Sequence, residues 1–412
     1  MKTKDLIAEL TTRSEKPNFR PDRAAGLARL ATFSGRAGDI YDRCRNYDLG
    51  ADKRTNVSAL SPWIRHRLIT EVEVLEVILG QHGFQAAEQF VHEIFWRTYF
   101  KGWLEQHPGV WTAYQADLRG QMISVSKDRR LAANYMKAMD GETGIDCFDA
   151  WAGELVRMGY LHNHARMWFA SIWIFTLRLP WSLGADFFLR HLLDGDAASN
   201  TLGWRWVAGL HTKGKIYLAR QDNIRKYTDN RFDPSGLSAD YSPINERTTH
   251  QTEPIAPPGE IPGGEFILLI TDEDCLVSEL LPSKPSSVVG FLATKYRSPL
   301  EVAEVVKQFS RGAMADALHL ASGKIAGTAG SRKEIFELLL SAAKKDKVNQ
   351  IVMVEPNCGP VKAGLADLEN ALAREGLRMH FIRRGYDDLV WPHTDKGFFK
   401  LKKKIPELVS RI

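Results

Sequence analysis

The chain has 412 residues, of which 44% are hydrophobic and 25% charged, and this composition excludes a mainly disordered protein. Its 55 lysines and arginines slightly exceed its 50 aspartates and glutamates, which favours polyanionic partners without identifying a nucleic-acid binder. Ten of the eleven tryptophans lie before residue 207, so the two halves of the chain differ in kind.

The first half, residues 1–245, has the apolar spacing of α-helices and almost no alternating strand pattern, so an all-α domain is expected. Its clearest helical stretches are 69–79, 84–104, 148–158 and 166–177. Between Thr248 and Glu265, four prolines and three glycines occur without periodicity. Because such a stretch neither continues a helix nor builds a core, we expect a linker at 246–265.

The second half, residues 266–412, alternates short apolar runs with helical patterns, which predicts a smaller α/β Rossmann-like domain with a parallel sheet. The predicted strands are 266–270, 287–292, 315–320, 350–354 and 379–382. The predicted helices are 299–309, 332–345 and 362–375. Ser331 and Glu334 form a capping box that begins the second of these helices.

Cysteine usage and hydropathy indicate the compartment. The four cysteines are scattered without a C-x-x-C pair, so neither a zinc ribbon nor a disulfide framework is expected. The N-terminal sequence MKTKDLIAEL has acids within its short apolar run and is not a signal peptide. The most apolar stretch, 167–177, is shorter than the roughly 20 residues that span a bilayer. We therefore expect a cytoplasmic protein that is not a membrane protein.

Helical spacing places Glu93, Trp96 and Arg97 on one face. A carboxylate, a flat ring and a guanidinium on one stripe suit a planar polar ligand. The alternative is an ordinary amphipathic helix with an internal Glu–Arg pair.

A second cluster places Asn163, Arg166 and Met167 on one helical face before a very apolar stretch. Arg166 is therefore expected in a partly buried site, with Asp194 or Asp196 as its acid partner.

Two patterns that resemble metal sites are incomplete. His162 and His164 face apart on a helix and have no third ligand at hand, so no metal is predicted. The segment from Asp194 to Asn200 lacks the ligand spacing and the closing glutamate of a calcium loop.

Several motifs recur together and in order between Tyr41 and Tyr217. They are Tyr41-x-x-x-Arg45-Asn46, Ser58-Ala59-Leu60-Ser61-Pro62, Glu93-x-x-Trp96-Arg97, Thr143-Gly144, His162-Asn163-x-x-Arg166-Met167, Trp181, and Asp194-Gly195-Asp196 through Asn200 to Gly203-Trp204-x-Trp206. Together they resemble the flavin-binding helical domain of the photolyase and cryptochrome superfamily. The resemblance implies FAD folded into a U shape inside the helical bundle, with its ring at the bottom of a cavity that faces DNA.

The resemblance also implies which residues hold FAD. The diphosphate positions are matched by Tyr41, Ser58, Leu60 and Ser61. The positions around the flavin ring are matched by Arg97, Arg166, Asp194, Asp196 and Asn200. Of these, Arg166 and Asp194 match an ion pair beside the ring. Asn200 matches the position that faces the reactive nitrogen of the ring, and a neutral amide there resembles photolyases.

By the same resemblance, five residues match the lesion pocket of enzymes that repair cyclobutane pyrimidine dimers: Glu93, Trp96, Asn163, Met167 and Trp206. Asn163 bears on selectivity, because relatives that repair six-four photoproducts resemble one another in having histidine there. Trp204 and Trp181 match the first two members of the electron-transfer chain that reduces the flavin under light. Trp111 and Tyr135 are both candidates for the third member.

The sequence departs from the family pattern at several points. Val57 stands where a threonine is usual, the segment between Arg45 and Ser61 is longer than usual, and Phe90 replaces a common tryptophan. The α/β domain follows the helical domain, whereas family members normally have it first. Either a circularly rearranged photolyase or an unrelated domain fused behind a flavin domain would give this order.

Three further segments carry weaker signals. A phosphate-facing edge or a solvated face would explain the basic residues Lys213, Lys215, Arg220, Arg225, Lys226 and Arg231. A solvated helix is favoured for the second basic run, Lys396, Lys400, Lys402, Lys403 and Lys404. Residues 323–330 follow an apparent strand, which suits either a phosphate-binding loop or a loop that simply needs glycine.

The function expected from this resemblance is that of a light-driven, FAD-dependent photolyase that splits cyclobutane pyrimidine dimers, with damaged DNA as its partner. Its catalytic residues would be Glu93, Asn163, Trp181, Asn200 and Trp204. The alternatives are a cryptochrome-type blue-light photoreceptor without repair and a flavin-holding structural module bound to nucleic acid. The sequence specifies neither an antenna chromophore nor protein partners.

Overall fold

The structure is a computed structural model that describes residues 3–12, 14–240, 242, 244, 246 and 250–412. We call Thr3–Tyr227 the helical part and Ile267–Val409 the α/β part. Asn245 and Thr248, where the expected helical domain ends and the proline-rich stretch begins, lie outside the described residues. None of the described helices is long and apolar enough to cross a membrane.

The helical part consists of helices joined by loops, as its apolar spacing predicts. The helices are α1 (Thr3–Thr12), α2 (Arg23–Ser34), α3 (Asp39–Cys44), α4 (Ser61–Arg65), α5 (Glu71–Gln106), α6 (Pro108–Lys127), α7 (Arg129–Asp140), α8 (Asp146–Met158), α9 (Asn163–Ser171), α10 (Trp181–His191), α11 (Ala197–Val207) and α12 (Gln221–Tyr227). A π-helical turn, Ile172–Thr176, follows α9.

Helix α5 is the longest and contacts both parts of the molecule. Thr70 and Glu73 form a capping box that satisfies the free N–H groups at its start. At Gly83 the backbone has φ 69°, a left-handed value that favours glycine, and the helix kinks there. The kink separates the two stretches predicted at 69–79 and 84–104.

The α/β part is a five-stranded, fully parallel sheet with helices on its faces, which confirms the predicted fold class. The strands are β1 (Ile267–Thr271), β2 (Ser287–Phe291), β3 (Lys324–Ala329), β4 (Gln350–Val354) and β5 (Arg378–Ile382), in the order β3-β2-β1-β4-β5. The helices are α13 (Glu304–Leu320), α14 (Arg332–Asp346), α15 (Pro360–Gly364), α16 (Leu368–Arg374), α17 (Gly385–Val390), α18 (Phe398–Lys402) and α19 (Ile405–Val409).

Three predicted elements differ from the structure in this part. Residues 315–320, predicted as a strand, are the last turns of α13, because Met314, Ala317 and Leu318 recur at helical spacing and are buried. The predicted helix at 299–309 begins at Glu304 and continues through them. The predicted helix at 362–375 is interrupted, because Asp367 takes a left-handed φ of 61° between α15 and α16.

The segment 323–330 is not a phosphate-binding loop. It forms the edge strand β3, and Gly327 (φ 141°) lies at an irregularity opposite Val288 and Val289. The start of the following helix is closed by its own side chain, because Gly330 N donates to Glu334 Oε2 at 3.0 Å. Backbone pairing in a strand and this internal cap explain the segment without a ligand.

The two parts share one continuous apolar core, which includes Phe95 and Tyr99 of α5 together with Tyr386, Val390 and Phe398. Buried ion pairs also cross this interface. Arg67, just before α5, contacts Asp274 at 3.1 Å and Asp387 at 2.7 Å. The α/β part therefore fixes the position of α5, which carries one wall of the cavity described next.

Candidate functional site

A cavity of about 530 Å³ lies among helices α3, α4, α5, α9 and α11, within the size range of small-molecule pockets. It brings together most of the residues singled out from the sequence. Those that line it are Tyr41, Ser58, Leu60, Ser61, Glu93, Trp96, Arg97, Asn163, Arg166, Met167, Asp194, Asn200, Trp204 and Trp206. Asp196 and Trp181 lie outside this lining.

An ion pair occupies the inner end of the cavity. Arg166 of α9 donates from Nη2 to Asp194 Oδ2 at 2.8 Å, and its Nε donates to the Leu161 carbonyl at 3.0 Å. The Ser61 hydroxyl donates to the same Asp194 oxygen. Because Asp194 is 6% exposed, these donors offset the cost of burying its charge.

A second buried charge cluster surrounds Asp196, which caps α11 by accepting from Ser199 N at 2.8 Å. Arg97 Nη2 lies 3.6 Å and Lys101 Nζ 4.0 Å from its carboxylate. Burial alone would raise the pKa of Asp196, but Arg97 and Lys101 lower it well below its usual range. Asp196 is thus a negative group that holds Arg97 at the cavity wall.

Asn200 and Trp204 project from successive turns of α11 into the cavity. Asn200 donates from Nδ2 to the Ala185 carbonyl at 2.8 Å, which fixes the orientation of its amide. Trp204 is 2% exposed and packs edge-on against Trp173, with ring centroids 6.1 Å apart. Both side chains are rigidly held, one presenting an amide and the other an indole.

Glu93 and Arg97, which the sequence could also pair within one helix, do not pair with each other at the outer rim of the cavity. Glu93 Oε1 instead accepts from Arg45 Nη1 at 2.6 Å, across from α5. Burial raises the pKa of Glu93, although Arg45 opposes this. Arg97 is then available to Asp196 and to Glu71, whose carboxylate lies 3.5 Å away.

Two tryptophans flank this rim. Trp96 is stacked on Phe398 of α18, with ring centroids 3.6 Å apart and planes 12° from parallel. Trp206 packs on Tyr217 at 5.7 Å. Both rings are half-buried, and Asn163 is exposed, whereas Asn200 and Trp204 are buried. The cavity therefore opens from a buried polar end toward a rim with two aromatic walls.

The loop before α4 contributes Val57, Ser58 and Leu60 to the cavity lining. Ala59 between them has φ 51°, a left-handed value that is strained for a residue with a Cβ. Phe90 packs against Tyr41 at 5.1 Å and takes the place of the expected larger ring.

Trp181 lies one turn before Gly184 on α10, and Gly184 packs directly against the Trp204 ring. The two candidates for a third electron-transfer residue end separate aromatic rows. Trp181 lies 5.6 Å from Tyr114, which lies 5.2 Å from Trp111. A second row links Trp204 to Tyr135 through Trp173. The ring centroid of Trp173 lies 6.1 Å from that of Trp204 and 6.0 Å from that of Tyr135.

The two histidines of the second motif have structural partners. His164 stacks on Trp168 at 4.0 Å and contacts the Tyr217 hydroxyl at 3.1 Å. His162 Nδ1 accepts from His164 N, and burial lowers the pKa of His162 to about 3. Across the described ranges, no three potential metal ligands converge.

Neither spacing nor motifs assign a role to Arg45, Phe398 or Ser199. Arg45 stood within a motif, but its pairing with Glu93 spans 48 positions and leaves no local pattern. Phe398 lies in the other half of the chain, and only the folded interface places it against Trp96.

Polar atoms in the cavity wall test whether FAD fits. Several of them are buried and have no hydrogen-bond partner in the described part of the chain: Arg45 Nε, Arg97 Nε and Nη2, Asp194 Oδ1, Ser199 Oγ and Trp204 Nε1. Buried polar atoms in native proteins are normally paired. The set contains donors and an acceptor beside flat rings, which fits a large, planar and polar cofactor such as a flavin.

Comparisons with known proteins agree with this fit. Residues 90–243 match the family described as the FAD binding domain of DNA photolyase. A deoxyribodipyrimidine photo-lyase of Streptomyces griseus is 32% identical over 231 residues, or 50% of this chain and 49% of the relative. A cryptochrome DASH of Idiomarina loihiensis is 26% identical over 232 residues, or 55% and 49%. The chain thus spans about half the length of these curated relatives.

Among solved structures, a Synechocystis cryptochrome superposes with a TM-score of 0.42 at 21% identity, over 50% of this chain and 43% of that chain. A class III photolyase of Agrobacterium tumefaciens gives 0.40 at 24%, over 52% and 48%. The matched domain and the sequence relatives support the photolyase and cryptochrome superfamily for this chain, and the matched domain supports FAD as its cofactor.

Proposed function

We propose that the protein is a DNA photolyase that splits cyclobutane pyrimidine dimers under light. One observation carries the proposal: two half-buried tryptophans, Trp96 and Trp206, stand at the open rim of the same cavity whose buried end holds Asn200 and the Arg166–Asp194 pair. An extruded dinucleotide needs flat apolar walls at the entrance and a cofactor within reach behind them.

The residues at the buried end would hold the cofactor. Arg166 and Asp194 would form an ion pair beside the flavin ring, and Asn200 would present an amide to the ring. The loop residues Ser58 and Ser61 would hold the diphosphate. FAD, when bound in its reduced form, supplies the electron that light makes available to the lesion.

The rim residues would bind and orient the dimer. Trp96 and Trp206 offer ring faces for stacking, worth about 1–3 kcal/mol per base. Glu93 and Asn163 would hydrogen-bond to the polar edges of the bases. Met167 adds an apolar contact that helps to exclude water.

The second candidate is a blue-light photoreceptor without repair activity, because cryptochrome DASH proteins of Idiomarina loihiensis and Gloeobacter violaceus are among the relatives, at 26% and 29% identity. Both functions would use the same cofactor. They differ in whether the rim binds a lesion.

A repair assay separates the two. The purified protein, with its flavin reduced, is mixed with an oligonucleotide that contains one cyclobutane dimer and exposed to blue light. Loss of the dimer in the light but not in the dark is the expected result. A flavin-loaded protein that leaves the dimer intact and does not prefer damaged DNA would contradict the proposal and favour the photoreceptor.

A further inference from the structure

The second basic run of the sequence lies beside the cavity. We call residues 396–404 the lysine edge; it comprises Lys396, α18 and the turn that leads into α19. The sequence favoured a solvated helix here, and most of its side chains are indeed exposed. Its apolar residue Phe398 is only 4% exposed, however, so one face of α18 is fixed against the rest of the molecule.

Phe398 places this segment at the rim. Its ring is stacked on Trp96, which lines the cavity, and it also packs edge-on against Tyr99 at 5.6 Å. One face of Trp96 is thereby covered, and the indole has a fixed plane. The residue after Phe398 necessarily lies within a few ångströms of the cavity wall.

That next residue, Phe399, is 75% exposed, more than any other large hydrophobic side chain in the described part of the chain. Consecutive residues of a helix point about 100° apart, so Phe399 faces outward where Phe398 faces inward. A single exposed apolar residue is not unusual in itself. An aromatic ring at the rim of a cavity with two tryptophan walls is in the right place to contact what enters it.

Apart from Asp395, which lies 3.7 Å from Lys396, the charged side chains of the lysine edge are all basic. Lys400 and Lys403 are exposed, and no carboxylate of the described residues lies within ion-pair distance of either. A second basic segment approaches from the other side of Tyr99, whose hydroxyl contacts His211 Nε2 at 3.2 Å. The exposed Lys213 and Lys215 follow His211 by two and four positions. The rim is therefore basic on two sides, which complements phosphate groups.

We propose that the lysine edge is a DNA-contacting surface contributed by the α/β part, with lysines that bind phosphates and Phe399 as a wedge. Apolar side chains inserted between base steps are a known way to stabilise unstacked DNA. Phe399 occupies the gap left in the duplex when a dimer is extruded toward Trp96. The inference rests on the proposed function, since it takes duplex DNA as the partner.

The test compares exposed variants with matched controls in the FAD-loaded protein. Phe399→Ala is compared with Ile325→Ala, an exposed apolar residue on the edge strand β3. The double variant Lys400→Gln/Lys403→Gln is compared with Lys344→Gln/Lys345→Gln, which removes the same charge from α14. Affinity is measured for a duplex with one cyclobutane dimer and for the same duplex without damage. Each measurement is repeated at salt concentrations from about 50 to about 200 mM.

Phe399→Ala is expected to weaken binding to the dimer duplex by about five- to 150-fold, the range for one lost stacking ring, with little change for undamaged DNA. The double lysine variant should weaken binding to both duplexes and reduce the slope of log affinity against log salt by about 1.8. The proposal is overturned if both variants bind like their controls. If Phe399→Ala binds like its control but the lysine variant binds more weakly than its control, Phe399 is not a wedge and the lysines still contact the phosphates.

Failure of the proposed function gives a different result. A wild-type protein that binds damaged and undamaged duplexes equally would contradict the photolyase, and with it the wedge. The salt slope of the lysine variant on undamaged DNA would still support or overturn the contact with phosphates. Absorbance at the flavin bands should be equal in all variants, because none of the substituted residues lines the cavity.

Discussion

Arg166 and Asp194 form an ion pair of 2.8 Å at the buried end of the cavity, and only one oxygen of Asp194 is used in it. The other, Oδ1, has no partner in the described part of the chain. A buried carboxylate oxygen without a donor is costly. A ligand that donates to this oxygen would complete the arrangement, and we therefore expect the loss of Asp194 to weaken cofactor binding.

Asp194→Ala should yield protein that lacks most of its FAD. The substitution removes the acceptor and leaves Arg166 unpaired, at a cost of about 1.5–3 kcal/mol for a hydrogen bond to a charged group. The ratio of flavin to protein absorbance after purification measures this. Asp194→Asn, which retains the shape and one acceptor, is the control and should retain more FAD. Full occupancy in the alanine variant would contradict the assignment of this pair to the flavin.

Trp204→Phe should abolish most of the light-driven flavin reduction in the presence of an external electron donor, while leaving FAD bound. Trp204 lines the cavity, whereas Trp181 and the rows beyond it lie further out. Photoreduction is followed by the loss of absorbance of oxidised flavin under blue light. Trp168→Phe is a suitable comparison, because that ring is buried against Trp151 and His164, away from these rows. An unchanged rate in Trp204→Phe would mean that another ring, such as Trp173, carries the electron.

Much of the fold could be predicted from local patterns. The kinked α5 and four of the five strands followed from periodicity, because those residues have strong and unambiguous spacing. Residues 315–320 and 324–329 were predicted wrongly, because the short apolar run of the first is compatible with a strand as well as with the helical spacing of Met314, Ala317 and Leu318, and because Gly327 weakens the strand pattern of the second. Tertiary packing decided both, with α13 on the sheet and β3 at its edge.

The motifs predict which residues line the cavity. They do not predict which of these side chains contact one another. Glu93 and Arg45 are distant in sequence, and so are Trp96 and Phe398. No local spacing encodes such contacts. They arise because α5 lies between α3 and the α/β part.

Glu105, near the end of α5, should make the stability of the protein depend on pH. Burial, opposed by the Cys358 N–H and Lys362, raises the pKa of this carboxyl to about 7, from 4.5. The folded state therefore retains a proton that the unfolded chain has already lost between pH 4.5 and 7. The contribution of Glu105 to the free energy of unfolding is therefore largest below pH 4.5. It decreases by about 3 kcal/mol in total as the pH rises to 7.

In the wild-type protein, Cys358 N donates to the Glu105 carboxylate at 2.5 Å. Glu105→Gln removes the titration but retains an oxygen that can accept this hydrogen bond. The variant should gain stability relative to wild type as the pH rises across this window, by up to about 3 kcal/mol. Urea denaturation of both proteins at about pH 5 and about pH 8, near the two ends of this window, measures the difference in their free energies of unfolding. A gap between the two proteins that is the same at both pH values would show that Glu105 does not titrate there.

Trp206→Ala should weaken binding to dimer-containing duplex much more than binding to undamaged duplex. The ring lines the same cavity as Trp96 and is half-buried, and losing one stacking partner costs about 1–3 kcal/mol, or roughly a five- to 150-fold change in affinity. Undamaged DNA is bound mainly through its phosphates, which Trp206 does not contact in this scheme. Trp206→Phe is the control, since a smaller ring still stacks and should recover part of the loss. Titrations with FAD-loaded, reduced protein measure both affinities. If Trp206→Ala weakens both duplexes equally, the ring does not read the lesion, and the repair assignment of this rim fails.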